Sequence, residues 1–157
     1  VQEFRDDSSG GDGAAVPRIC YDTGNSRAVL AYRNDDFSNL YVRVVEVSSA
    51  WPGTVTFGTE AVVTQGPYID NQSIHYDASL GKVIITTSHD WTDNDPPLQY
   101  WTGEVNAGAN TISLEGPVEI ANNAQAGLGT YDEANKVTVF GYGDQDNSGR
   151  GTARVLN

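Results

Sequence analysis

Short stretches in which apolar and polar residues alternate recur along the whole chain, and none carries the 3.6-residue period of an amphipathic helix. Three of these stretches open alike. Tyr-Asp stands at Tyr21-Asp22, Tyr76-Asp77 and Tyr131-Asp132, an even spacing of 55 residues. Each pair is followed by a short polar turn that ends near a basic residue. A strand rich in β-branched side chains comes next: Ala28–Tyr32, Val83–Thr87 and Val137–Tyr142. An acidic loop closes each of these units, at Asn34–Asn39, Asp90–Asp95 and Asp144–Gly149. A third strand is predicted at Leu40–Val47, Leu98–Val105 and Gly151–Leu156, and a fourth at Thr54–Val63 and Thr111–Ile120.

The pattern predicts an all-β domain over 1–157, made of three ~55-residue, four-stranded antiparallel repeats at about 16–70, 71–125 and 126–157. Such units fit β-propeller-type blades, and a β-trefoil-like threefold fold is the alternative. Propellers usually have about 4–8 blades, so three imply a ring shared between chains or a longer array. Val1–Phe4 resembles the end of a fourth strand, which would let the two chain ends pair, and 5–15 reads as a surface loop. A chain that opens on Val1 and holds no Met reads as a processed product, a fragment or a sequence whose start is missing.

Charge narrows the partners. Nine Lys and Arg against 21 Asp and Glu give a net charge of −12. Binding to phosphate backbones or anionic membrane surfaces needs a basic face, so nucleic acid and membrane are excluded as expected partners. Acidity fits solubility, a saline setting or Ca²⁺ binding. No apolar run approaches the roughly 20 residues of a membrane helix, and no charged segment followed by an apolar run opens the chain. The lone cysteine, Cys20, lies in an apolar stretch and reads as a small buried hydrophobe.

The run Tyr131-Asp-x-x-Asn-Lys-Val-x-Val, continued by Tyr142, Asp144, Asn147-Ser148 and Gly151-Thr-Ala153, resembles the tandem repeats of tail-fibre and other virion proteins of marine bacteriophages. Gly53-Thr-Val-Thr-Phe-Gly58 resembles the Gly-x-x-Ile-x-Phe-Gly segment into which those repeats continue, and the likeness extends over about 16–157. The second repeat departs from it, with Thr86-Thr87 in place of Ala-Tyr and Asp95-Pro-Pro97 inserted. The resemblance implies a structural or adhesive virion component at the particle surface, not a reaction.

Candidate chemistry is sparse. Asp144, Asp146 and Ser148 have the D-x-D-x-S-G spacing that can point alternate oxygens at a Ca²⁺ ion, although the Glu of a full EF-hand is replaced by Val155. Calcium is the one cofactor this suggests. Trp51 and Trp91, with Asp93 and Asp95, have the aromatic-plus-carboxylate character of a sugar site, whereas Trp101 alternates within a strand and reads as core. The repeated tyrosines are expected between strands or repeats, and the aspartates after them as turn caps. His75 and His89 occupy different places in their repeat, so no histidine metal pair is expected, and no hydrolase or zinc motif is present. No catalytic residue is assigned. The expectation is a non-enzymatic virion structural protein, a capsid decoration or knob or a tail-fibre part. Its expected partners are other virion proteins, copies of itself, or a host-surface glycan to which it adheres. The alternative is an oligomeric propeller-type lectin.

Overall fold

The structure is a computed structural model that describes residues 14–34, 38–50, 52–65, 69–89 and 97–156. It is all-β. Three antiparallel sheets follow one another along the chain. The first holds β1 (Ala14–Asp22), β2 (Arg27–Asn34), β3 (Asn39–Val47), β4 (Val55–Phe57) and β5 (Ala61–Gln65). The second holds β6 (Ile69–Asp77), β7 (Lys82–His89), β8 (Leu98–Asn106) and β9 (Thr111–Ala121). The third holds β10 (Ala124–Asp132), β11 (Val137–Asp144) and β12 (Arg150–Leu156). The second and third are meanders in which neighbours in sequence are neighbours in space, and the first is one as far as β4, with β5 returning to pair with β3.

Two details of the pattern reading change. The stretch read as one fourth strand, Thr54–Val63, is broken into β4 and β5, which pair with different halves of β3. Gly58 sits in the break. Its N–H donates to the Val44 carbonyl at 2.8 Å, and a Cβ there would overlap the Asn110 carbonyl of the β8–β9 turn. A side chain at 58 cannot be housed, so glycine interrupts the strand where another sheet comes close. Ala14 and Ala15, read as loop, instead pair with Asn34 and Arg33 at the start of β1. The reading of Val1–Phe4 as a strand end lies outside the described residues.

Register explains how the sheets stack. On β2 the side chains Val29 and Ala31 point to one face, here the forward face, and Ala28, Leu30 and Tyr32 to the rear. The forward face of the first sheet, with Val29, Ala31, Val42 and Val44, packs on the rear face of the second, with Val83, Ile85, Trp101 and Ile112. The forward face of the second sheet, with Ile84, Leu98 and Ile120, packs on the rear face of the third, with Phe140 and Leu156. Tyr100 and Phe140 stack across this second interface, ring centroids 5.6 Å apart. Both interfaces therefore use the same relation, forward on rear. The sheets approach most closely through their first strands: β1 lies against β6, and β10 against β6 and β7. Trp101 is buried in the first interface, as its alternation within β8 predicts.

Candidate functional site

The turn that follows each first strand is built by one aspartate. Asp22 Oδ1 accepts from the Asn25 N–H at 3.0 Å and Oδ2 from the Asn25 side-chain amide at 2.8 Å. Asp77 Oδ1 accepts from the Ser79 and Leu80 N–H groups at 2.9 and 3.0 Å and from the Ser79 hydroxyl at 2.6 Å. Asp132 repeats the pattern, with Ala134 N–H at 2.9 Å and Asn135 N–H at 3.1 Å. These are Asx turns, in which a short carboxylate replaces a backbone acceptor. Each is completed by a residue at positive φ: Ser26 at 54°, Gly81 at 65° and Lys136 at 60°.

At this end of the sheets the three first strands border a cleft of about 330 Å³, walled by Tyr21, Ile74, His75, Tyr76, Tyr131 and Glu133. The tyrosines do not occupy equal environments. The Tyr76 hydroxyl lies over Gly24, beside the Asp22 carboxylate of the preceding turn. Burial, and next the charge of Asp22, raise its pKa. Tyr131 is half-buried, and its hydroxyl has no hydrogen-bond partner among the described residues. Tyr21, expected to pack between repeats like the others, is 57% exposed, because the described residues place no sheet behind the first one.

Between the second and third sheets runs a buried polar relay. The Thr138 hydroxyl donates to Asp77 Oδ2 at 2.8 Å and lies 3.0 Å from His75 Nε2. A hydroxyl has one proton, and an ionised carboxylate only accepts, so His75 is the Nε2–H tautomer and donates to Thr138. Burial lowers the His75 pKa most; the negative Asp77 and the Gly129 backbone oppose it, and the result is about 4. For Asp77, burial raises the pKa, but the hydrogen bonds from Ser79, Leu80 and Thr138 outweigh it, and the carboxyl sits below its ordinary value. Cys20 also borders the cleft, and burial, helped by Asp22, pushes its thiol up to about 12. A thiol so placed is not a nucleophile. The cleft offers aromatic walls and one carboxylate, a surface for a sugar ring or an apolar side chain.

Of the site residues expected from sequence, only Asp144, Asp146 and Ser148 are described, and they lie away from this cleft. Trp51, Trp91, Asp93 and Asp95 fall outside the described residues. Asp144, Asp146 and Ser148 lie on the β11–β12 connection, a 3₁₀ turn over Gln145–Asn147 that Ser148 ends at φ 57°. This is the opposite end of β11 from the Asx turn. Asp146 Oδ1 already accepts from the Asn123 amide at 2.8 Å. Among the described residues no three His, Cys, Asp or Glu side chains converge as a metal set. Sequence reasoning missed His75 and Thr138, since nothing in a lone histidine and a strand threonine 63 residues apart marks them as neighbours. No family model, curated protein or solved structure matches the chain.

Proposed function

We propose that this chain is a non-enzymatic structural component of a bacteriophage surface, a capsid decoration or knob or a tail-fibre part, whose sheets are propeller-type blades. The observation that carries the reading is the directional stack. In each of the three sheets the first strand ends in the same Tyr-Asp signature, and the forward faces of the first two sheets meet the next rear face. This is how blades are arranged when one unit is repeated about an axis. The likeness of Tyr131–Val155 to marine phage tail-fibre repeats supplies the particle. The acidity suits solubility in seawater. An antibody raised against the chain should decorate capsids or tails of marine phage particles in electron micrographs. Label confined to the soluble fraction of infected-cell lysates would overturn the proposal.

One observation favours a second reading, an oligomeric lectin that adheres to host glycans. The cleft sets Tyr21, Tyr76 and Tyr131 around a space that also meets the Glu133 carboxylate, and aromatic faces with a nearby carboxylate suit sugar rings. Glycan-array binding that is lost in Glu133→Gln would support it; an array without signal would remove it.

A further inference from the structure

The sheet stack has two unlike ends. Its front end is the forward face of the third sheet. The register places Leu128 opposite Gly141, Thr130 opposite Val139, and Val139 and Gly141 opposite Val155 and Ala153. No charged side chain stands among these six, although the chain as a whole carries −12. Leu128 and Val155 are each 52% exposed. The rear end is the rear face of the first sheet. Its centre, Leu30, Tyr32 and Val45, is already buried, but on β1 the rear-facing Ile19 and Tyr21 are 64% and 57% exposed. A soluble chain rarely leaves large apolar side chains in such rows without a partner.

The interior of the molecule says what fits between these ends. Both internal interfaces set a forward face on a rear face, and their closest approach is between first strands. In both, the leading row of the rear face also touches the preceding Asx turn. Tyr76 reaches Asp22 and Gly24, and Thr138, the register partner of Tyr131, reaches Asp77. The corresponding row of the first sheet is Tyr21 with Ala28; among the described residues no such turn touches it, and the kind that would fit is the one formed at Asp132. We propose that a second copy of this chain supplies it. The Leu128–Thr130 side of β10 in one copy seats Ile19 and Tyr21 of β1 in the other, with Tyr21 lying over the Asp132–Lys136 turn.

The choice of one further copy follows from counting, and rests on the propeller-type reading above. Propellers hold about 4–8 blades, so two chains of three sheets give six, whereas three chains would give nine. A forward-on-rear contact is heterologous and leaves no free end only if the ring closes. Two copies close it with two equal contacts.

The test is native mass, measured by light scattering on the full chain at micromolar concentration. The expected species is twice the 16.8 kDa chain mass. Leu128→Asp and Ile19→Asp, at opposite ends of the stack, should each weaken association at least about tenfold, because each buries an unpaired carboxylate in the contact. Both positions are more than half exposed in the single chain, and an unchanged far-ultraviolet β spectrum verifies folding. In a Cys20→Ala background, Leu128→Cys mixed with Ile19→Cys should oxidise to a covalent heterodimer. A folded wild-type monomer overturns the proposal. So does a dimer indifferent to Ile19→Asp, or disulfide formation by Leu128→Cys alone, since either means like faces meet. Antibody labelling of particles is independent of these results, so this proposal and the phage-surface reading fail separately.

Discussion

His75 sets up a stability change with acid that can be worked from its surroundings. Its imidazole is buried between the second and third sheets and is tied through Thr138 to Asp77. The folded-state pKa of about 4 lies below the ordinary 6.5. A base whose pKa is lowered by folding takes up its proton more readily in the unfolded chain. Between pH 6.5 and 4 the unfolded state therefore binds more protons, and stability falls as pH falls. The full shift corresponds to about 3 kcal/mol, and going from pH 7.5 to 4.5 expresses about 2.5 kcal/mol of it. Asp77 acts in the same direction at lower pH, since a lowered carboxylate pKa is a contribution lost as pH falls through it. Other acidic groups titrate as well, so the informative quantity is a difference. Urea unfolding of wild type and of His75→Gln, followed by tryptophan fluorescence at pH 7.5, 6.0, 5.0 and 4.5, isolates the histidine. Wild type should lose about 2.5 kcal/mol more than the variant over that range. Equal pH slopes for the two proteins would refute the assignment of a neutral, buried His75.

Three further outcomes are expected. Trp101→Ala removes the largest side chain of the first interface and should cost about 3–5 kcal/mol, seen as a fall of roughly 6–20 °C in Tm by calorimetry; a fall under about 3 °C would show that the site is not packed as described. Gly58→Val should destabilise by about 2 kcal/mol or more, because its side chain meets the Asn110 carbonyl, while Gly151→Val, with open space around the site, should change the urea midpoint little; equal effects would contradict the close approach at Gly58. If the β11–β12 turn takes Ca²⁺, millimolar Ca²⁺ should raise the Tm of wild type but not of Asp144→Asn/Asp146→Asn, and an unshifted wild-type melt removes calcium from this turn.

Strand periodicity was readable because it is local. A β-branched run such as Val83–Thr87 after an aspartate turn needs no distant partner to declare itself, and the turn residues Asp22, Asp77 and Asp132 behave as their chemistry dictates. What could not be read was anything decided by contact across sheets. The break at Gly58 depends on a carbonyl 52 positions on, at Asn110. The unequal exposure of Tyr21 and Tyr76 depends on which sheet has another behind it. The cleft escaped for the same reason: its walls come from β1, β6 and β10 and the turns after them, whereas the one acidic loop of the sequence reading that is fully described, Asp144–Gly149, lies at the other end of β11. Thr86 and Thr87, read only as a departure from the repeat pattern, are buried, and the Thr86 hydroxyl pairs with Ser73.

The unlike ends of each sheet have a consequence for ancestry. A unit that carries its own socket in front and its own plug behind can be copied in tandem by a single duplication, and the new copy fits its neighbours without any compensating change. Deletion of a whole unit is tolerated on the same ground, because the flanking units meet as the lost one did. Insertions or losses of part of a unit have no such escape. Variation in the length of this kind of chain should therefore come in whole steps of about 55 residues, with drift concentrated in the connecting loops.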